Sequence, residues 1–239
     1  MVYLDEYIQK GGIPDCYTFG DRYLLSLYSN ILDKDVLSRY KIKYQKEFHE
    51  MARYLITNHS KEFSYNRLAK IWKIKNVHTV INYIKYLENS FIVFELLRFS
   101  YKLKEQHLAP RKIYCIDPGI INIIGFNISE NKGRLIENIV AIELQRKRSF
   151  DPQIEIYYWK DHQQREVDFI VKKKNSVLEC IQVTYASNPY DIDNREMRSL
   201  LKASRELRCK NLNMITWDYE STENNIHYIP LWKWLLDKK

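Results

Sequence analysis

The chain has 239 residues, 45% hydrophobic and 14% aromatic, with no Gly/Ser- or Pro-rich tract; this excludes a disordered chain and leaves room for one large or two modest domains. A formal net charge of +8 and a pI of about 9.1 favour polyanionic partners, nucleic acid above all. No apolar run approaches the ~20 residues that span a bilayer, the opening MVYLDEYIQK lacks a secretory layout, and Cys16, Cys115, Cys180 and Cys209 are too scattered for a zinc site or disulfide framework, so a reduced, cytoplasmic protein is expected.

Residues 1–60 read as helices. LDEYIQK stops at Gly11-Gly12 with Pro14 beyond it, and DRYLLSLYSNILDKDVLSRY and QKEFHEMARYLITNH carry apolar residues at helical spacing. Nothing in them carries recognisable chemistry, so packing and connection are their expected work. From residue 61 the pattern is more specific. Ser64 is a suitable N-cap for YNRLAKIWK, which buries Leu68 and Ile71. A brief turn leads to VHTVINYIKYLENS, with Val77, Val80, Ile81, Ile84 and Leu87 on one side. FIVFELLRFS and RKIYCID then read as two strands joined by a basic loop.

Helix, turn, helix and two-stranded wing over 61–116 is the order of a winged helix-turn-helix. In that motif the second helix enters the major groove and the wing touches phosphates. The expected base-facing residues are His78, Thr79, Asn82 and Lys85, with Lys75 near the turn; Lys102, Lys104, Arg111 and Lys112 are the expected phosphate contacts. From Arg98 to Lys112 there are five Lys/Arg against one acid, Glu105. The plainer alternative is a winged helix used only for protein contact, since its second helix has few cations.

Residues 117–239 alternate between helix and strand. Ser129 is the expected cap of a helix through GRLIENIVAIELQRK. IEIYYWK, EVDFIV and VLECIQVTY read as three strands, DNREMRSLLKASRELR as an amphipathic helix, NLNMITWD as a strand and PLWKWLLDKK as a closing helix. This predicts an α/β (mixed α+β) layer with a mixed sheet, in which the helix before Trp217's strand crosses over to a parallel neighbour. Lys172-Lys173-Lys174 falls at a turn between strands.

Within this region Glu137 shares a helical stripe with Ala141 and Leu144, where a carboxylate is costly to desolvate without a cation, a metal or a donor. Asp168 shares a strand face with Glu166 and Ile170. Gln182 and Thr184 share one with Cys180, while Glu179 points the other way. An acid from a helix, an acid from one strand and a polar pair from the next can converge as the skeleton of a divalent-metal nuclease site. Mg²⁺ takes about six oxygen ligands, usually one or two carboxylates plus water and phosphate.

IENIVAIEL, REVDFIV and IQVTY, following a winged helix and the early GGIPD, resemble the C-terminal half of archaeal and bacterial AAA-type ATPases. The similarity runs from YLDEYIQKGGIPD to LWKWLL, and GRLIEN, YYWK followed by REVDF, and RSLLKA are its most specific pieces. The resemblance implies a winged helix followed by a domain like the PD-(D/E)XK nuclease fold, the fold of Holliday-junction resolvases and many restriction enzymes. Carried over, Glu137 matches the helix acid, Asp168 the strand acid, Gln182 the (D/E) position and Thr184 the lysine. The departures are as informative. No G-x-x-x-x-G-K-[ST] occurs, so ATPase activity is unsupported. Gln182 offers a metal an amide oxygen without charge, and Thr184 offers no cation.

The leading expectation is a DNA-associated protein with a degenerate, inactive nuclease-like domain, for which no cofactor is certain. An alternative is an endonuclease that binds Mg²⁺ or Mn²⁺ through Glu137, Asp168 and Gln182. A third is an interaction module partnering an ATPase. His49, His59 and His107 have no partners at ligand spacing, and Trp217, Trp232 and Trp234 read as core and anchoring residues.

Overall fold

Apolar spacing along the first half of the chain produces short helices in the computed structural model, which describes residues 2–126 and 131–237. They are α1 (Val2–Lys10), α2 (Pro14–Phe19), α3 (Asp21–Asn30), α4 (Ser38–Tyr40) and α5 (Gln45–Thr57), with a π-helical stretch, Ile31–Leu37, joining α3 to α4. Strand β1 (Lys61–Phe63) precedes α6 (Tyr65–Ile71) and α7 (Val77–Asn89), and β2 (Val93–Leu96), α8 (Leu103–Leu108), β3 (Arg111–Cys115) and α9 (Pro118–Ile124) follow. Ser64 caps α6 by accepting from the Arg67 amide, and Asn76 caps α7 by accepting from the His78 amide.

Two compact units result. The first comprises Met1–Glu95 and Pro110–Glu130, and the second Leu96–Ala109 and Asn131–Lys239. In the first, three strands run in the order β1-β3-β2, with β1 antiparallel to β3. Leu24, Leu32, Phe48, Met51, Leu55, Leu68, Val80, Ile84 and Leu87 are fully buried in it. The GGIPD stretch has a structural reason. The Asp117 carboxylate accepts from the Gly12, Gly119 and Ile120 amides, which caps α9 and pins the loop after α1 to it. Gly11 sits at φ +85°, and a Cβ there would lie 2.0 Å from an Asp117 oxygen.

The second unit adds α10 (Lys132–Phe150), β4 (Ile154–Lys160), β5 (Glu166–Lys173), β6 (Ser176–Val183), α11 (Asn194–Leu207), β7 (Leu212–Thr216), β8 (Ser221–Glu223), β9 (Ile226–Pro230) and α12 (Leu231–Leu236). Its mixed six-stranded sheet runs β4-β5-β6-β7-β9-β8, with β6, β7 and β9 parallel and the remaining pairs antiparallel. Helix α11 packs on β5, β6 and β7, and α10 on β4 and β6. They cover opposite faces. Cys180 of β6 lies in one core cluster with Leu200, Ala203 and Leu207 of α11, whereas Glu179, its neighbour, feels the charge of Lys147 on α10.

Several sequence expectations change. Ser129 lies outside the described residues, and α10 is capped by Asn131, which accepts from the Arg134 amide. Strand β1 and the β8–β9 hairpin were not anticipated: β1 and β8 are three residues each, too short for an alternation to register, whereas β9, IHYIP, does alternate and was overlooked. The loop between β2 and β3 is partly helical, and its chain belongs to the second unit. There β4 carries a bulge between Tyr157 and Trp159. The Tyr158 carbonyl accepts from the Phe99 amide (2.6 Å) and its amide donates to the Leu97 carbonyl (3.0 Å). Phe99 itself is buried in the core with Trp159.

Candidate functional site

The antiparallel register that sets Phe169 of β5 opposite Ile181 of β6 brings Asp168 beside Gln182. All three polar residues, Asp168, Gln182 and Thr184, are buried. Buried polar groups must find partners, and two of these find each other: Gln182 Nε2 donates to Asp168 Oδ2 at 2.8 Å, and the Val183 amide donates to the same oxygen at 3.0 Å. Glu196 lies on the first turn of α11. Burial, and then the charge of Asp168, push the Glu196 carboxyl up to about 7. Asp168 and Gln182 thus form one hydrogen-bonded pair, and Glu196 of α11 feels the Asp168 charge.

Two oxygens in this group have no hydrogen-bond partner although both atoms are buried: Gln182 Oε1 and Glu196 Oε2. Glu137 is also buried, on α10, and its charge acts on Arg134 one turn earlier; burial holds that guanidinium below its ordinary range. Oxygen donors suit a hard divalent cation such as Mg²⁺ or Mn²⁺, so Asp168, Gln182 and Glu196 fit one chemically. Among the described residues no group of three or more His, Cys, Asp or Glu is gathered for an ion; the donor set is two carboxylates and an amide.

Glu196 was missed in the sequence, yet a signal was there. Glu196, Leu200, Ala203 and Leu207 recur at i, i+4, i+7 and i+11, and the last three are core residues. The stripe logic that singles out Glu137 applies equally to Glu196.

The expected nucleic-acid surface divides. Lys75, His78, Asn82 and Lys85 are exposed and Thr79 is half-buried, around the start and outer face of α7. Lys102 and Lys104 are exposed within the second unit, Lys102 in an ion pair with Glu105 at 3.1 Å. Arg111 and Lys112 are corrected. Strand β3 is the middle strand of its sheet, so Lys112 is only 2% exposed. Arg111 pairs with Glu95 (3.1 Å) and lies 4.6 Å from the centre of the Tyr65 ring. Neither cation is presented to a phosphate. Glu95, in turn, accepts from the Tyr65 hydroxyl and is pushed up to about 7 by burial and by Glu88.

Arg67, Lys70 and Lys73 were overlooked. From 63 to 87 there is no Asp or Glu, and Arg67, Lys70, Lys73, Lys75 and Lys85 all fall in this stretch. All five are exposed. The lysine run at the β5–β6 turn is of a different kind, since Lys172 pairs with Glu155 and Lys173 with Asp151.

These features define a mixed α+β protein with an acid–amide pair on one sheet and a helical surface that carries five exposed cations. Residues 1–131 match the family described as "Domain of unknown function (DUF8612)", and the chain belongs to that family. Residues 132–234 match "Domain of unknown function (DUF4143)", which is found in AAA-ATPase-associated proteins. The chain is similar to the uncharacterized protein MJ1544 of Methanocaldococcus jannaschii, at 33% identity over 99% of this chain and 56% of that protein. An uncharacterized protein of Haemophilus influenzae is 24% identical over 79% of this chain and 48% of its own length. The chain thus spans about half the length of these curated relatives. Among solved structures, a Thermococcus gammatolerans assembly of McrB AAA+ hexamers with bound McrC matches with a TM-score of 0.29 and 11% identity, over 74% of this chain and 45% of that one. Among the described residues no helix is long and apolar enough to cross a membrane.

Proposed function

We propose that the protein is DNA-associated, gripping duplex DNA through the α6–α7 surface, and that its second unit is a nuclease-like domain that does not cleave. The observation that carries the first part is the stretch 63–87, which holds five exposed cations and no Asp or Glu. Phosphate neutralisation supplies most non-specific affinity for DNA, and an intervening acid would offset it. The β1-β3-β2 order around α6 and α7 is compatible with a winged-helix layout. In this reading Lys75 and Lys85 meet phosphates while His78, Thr79 and Asn82 face base edges.

In the second unit the chain's own residues explain the lack of cleavage. The Gln182 amide spends its N–H on Asp168, which fixes both side chains without adding charge. Thr184 has no ammonium with which to stabilise charge developing on a phosphate. A divalent cation held by Asp168, Gln182 and Glu196 would neutralise phosphate oxygens and activate water. A partnership with an ATPase is a second reading, favoured by the match of residues 132–234 to a family found in AAA-ATPase-associated proteins.

The test is fluorescence anisotropy with labelled duplex at 50 and 200 mM salt, alongside incubation of the same DNA with Mn²⁺. Salt-sensitive binding without metal-dependent nicking is expected. Nicking that disappears in Asp168→Ala would establish the endonuclease instead.

A further inference from the structure

We propose that Cys180 and Cys209 are a site of reversible oxidation, at which an oxidant of the peroxide class forms a disulfide tying the end of α11 to strand β6. The site lies wholly within the second unit and is independent of DNA contact by α7. All four cysteines of the chain are free thiols, and the backbone brings these two together. Strand β6 runs parallel to β7 with Cys180 opposite Leu212. The chain enters β7 from α11 through residues 208–211, where Arg208 takes a left-handed conformation (φ +54°) that ends the helix. Cys209 is then held in place: its amide donates to the Ser204 carbonyl at 3.0 Å, and its carbonyl accepts from the Ser204 hydroxyl at 2.7 Å.

One atom joins the two cysteines. The Asn211 carbonyl oxygen accepts from the Cys180 amide at 3.0 Å and from the Cys209 thiol at 3.5 Å. Both residues belong to the core cluster that contains Leu200, Ala203 and Leu207 of α11, so both lie on the α11 side of the sheet. A disulfide needs Cα atoms roughly 4.4–6.8 Å apart, and the spacing of neighbouring segments in a sheet, about 4.8 Å, falls within that range.

The two sulfurs have different parts. Cys209 is buried between exposed Arg208 and Lys210, whereas Cys180 is fully enclosed. Opening a four-residue surface turn is a small local event, so Cys209 is the sulfur that meets the oxidant. Thiolate is the reacting form. Cys180 holds the Cys209 thiol down to about 7 against the opposing effect of burial, while Cys115 is pushed up to about 12 by burial and Cys16 is raised by it as well. The Cys209 thiolate attacks one peroxide oxygen; the O–O bond breaks, hydroxide leaves and takes up a proton as water, and Cys209 becomes a sulfenic acid. The Cys180 sulfur then attacks the Cys209 sulfur. The S–S bond forms, the S–O bond breaks, and the Cys180 proton leaves with the hydroxyl as a second water. Two thiols lose two electrons and the peroxide gains them.

The test treats the full chain, reduced and then freed of reductant, with hydrogen peroxide, followed by alkylation under denaturing conditions and peptide mass spectrometry. A cross-linked peptide joining Cys180 to Cys209 is expected, released by dithiothreitol, with Cys16 and Cys115 still alkylated. At pH 7 Cys209 should be oxidised at least about tenfold faster than Cys115. Cys209→Ser should abolish the cross-link, and Cys180→Ala should leave a Cys209 sulfenic acid that dimedone traps. The cross-link in the unsubstituted chain is a readout that needs no variant to fold. Four free thiols after treatment, cross-links through Cys16 or Cys115, or oxidation of all four cysteines at equal rates would overturn the proposal.

Discussion

Glu95 illustrates how burial and charge compete at one residue. It accepts from Tyr65 and pairs with Arg111, both of which favour the ionised form, yet burial and the neighbouring Glu88 outweigh them and push it up to about 7 from an ordinary 4.5. A raised carboxyl stabilises the fold in its protonated form. That contribution is complete below about pH 4.5, falls as pH rises, and is gone above about pH 7. Melting of the protein across this window should show a loss of stability, to which Glu196 contributes as well, and Glu95→Gln should reduce that loss by on the order of 2 kcal/mol. Gly11 is governed by space rather than charge. With φ +85° and Asp117 2.0 Å from any Cβ, Gly11→Ala should cost roughly 2 kcal/mol or more in chemical denaturation. A variant as stable as the parent would mean that Asp117 is not held by this loop. The glycine pair was legible as a helix stop. Its partner 105 residues away was not, because a carboxylate that accepts three backbone amides leaves no local pattern.

At the scale of elements, periodicity revealed most of what burial creates. Helices α6, α7, α10 and α11 and strands β4 to β7 bury one or both faces, and their apolar spacing announced them. The segment 96–109 did not behave as its composition suggested. Its lysines marked it as a solvent-facing wing, but Phe99 is held in the core of the second unit and the backbone on either side of Arg98 pairs with the bulged Tyr158. Sequence composition reports charge density and is silent about where one aromatic anchors. Phe99→Ala should therefore destabilise the second unit by about 3 kcal/mol, seen as a lowered denaturation midpoint. A neutral outcome would mean that the segment packs loosely. The cluster on β5 and β6 was half legible: strand alternation set Gln182 and Thr184 on one face with Glu179 on the other, whereas Glu196 comes from a distant helix and only its stripe with Leu200 and Ala203 pointed to it.

For the whole molecule, two units and two family matches divide the chain at 130/131 by packing and at 131/132 by family, except that packing assigns Leu96–Ala109 to the second unit. The chain spans about half the length of its curated relatives, so the activities of those larger proteins stand outside what its own residues support. What they do support is a cation-rich surface on the first unit and a buried acid–amide pair on the second. The central claim is that the first surface meets phosphates. Its most direct test is the salt dependence of duplex binding by the full chain and by a Lys75→Ala/Lys85→Ala variant. Each lysine that contacts a phosphate should contribute about one unit to the slope of log affinity against log salt. The account predicts salt-sensitive binding by the parent chain and a slope shallower by about two in the double variant; no binding, or an unchanged slope, would contradict it.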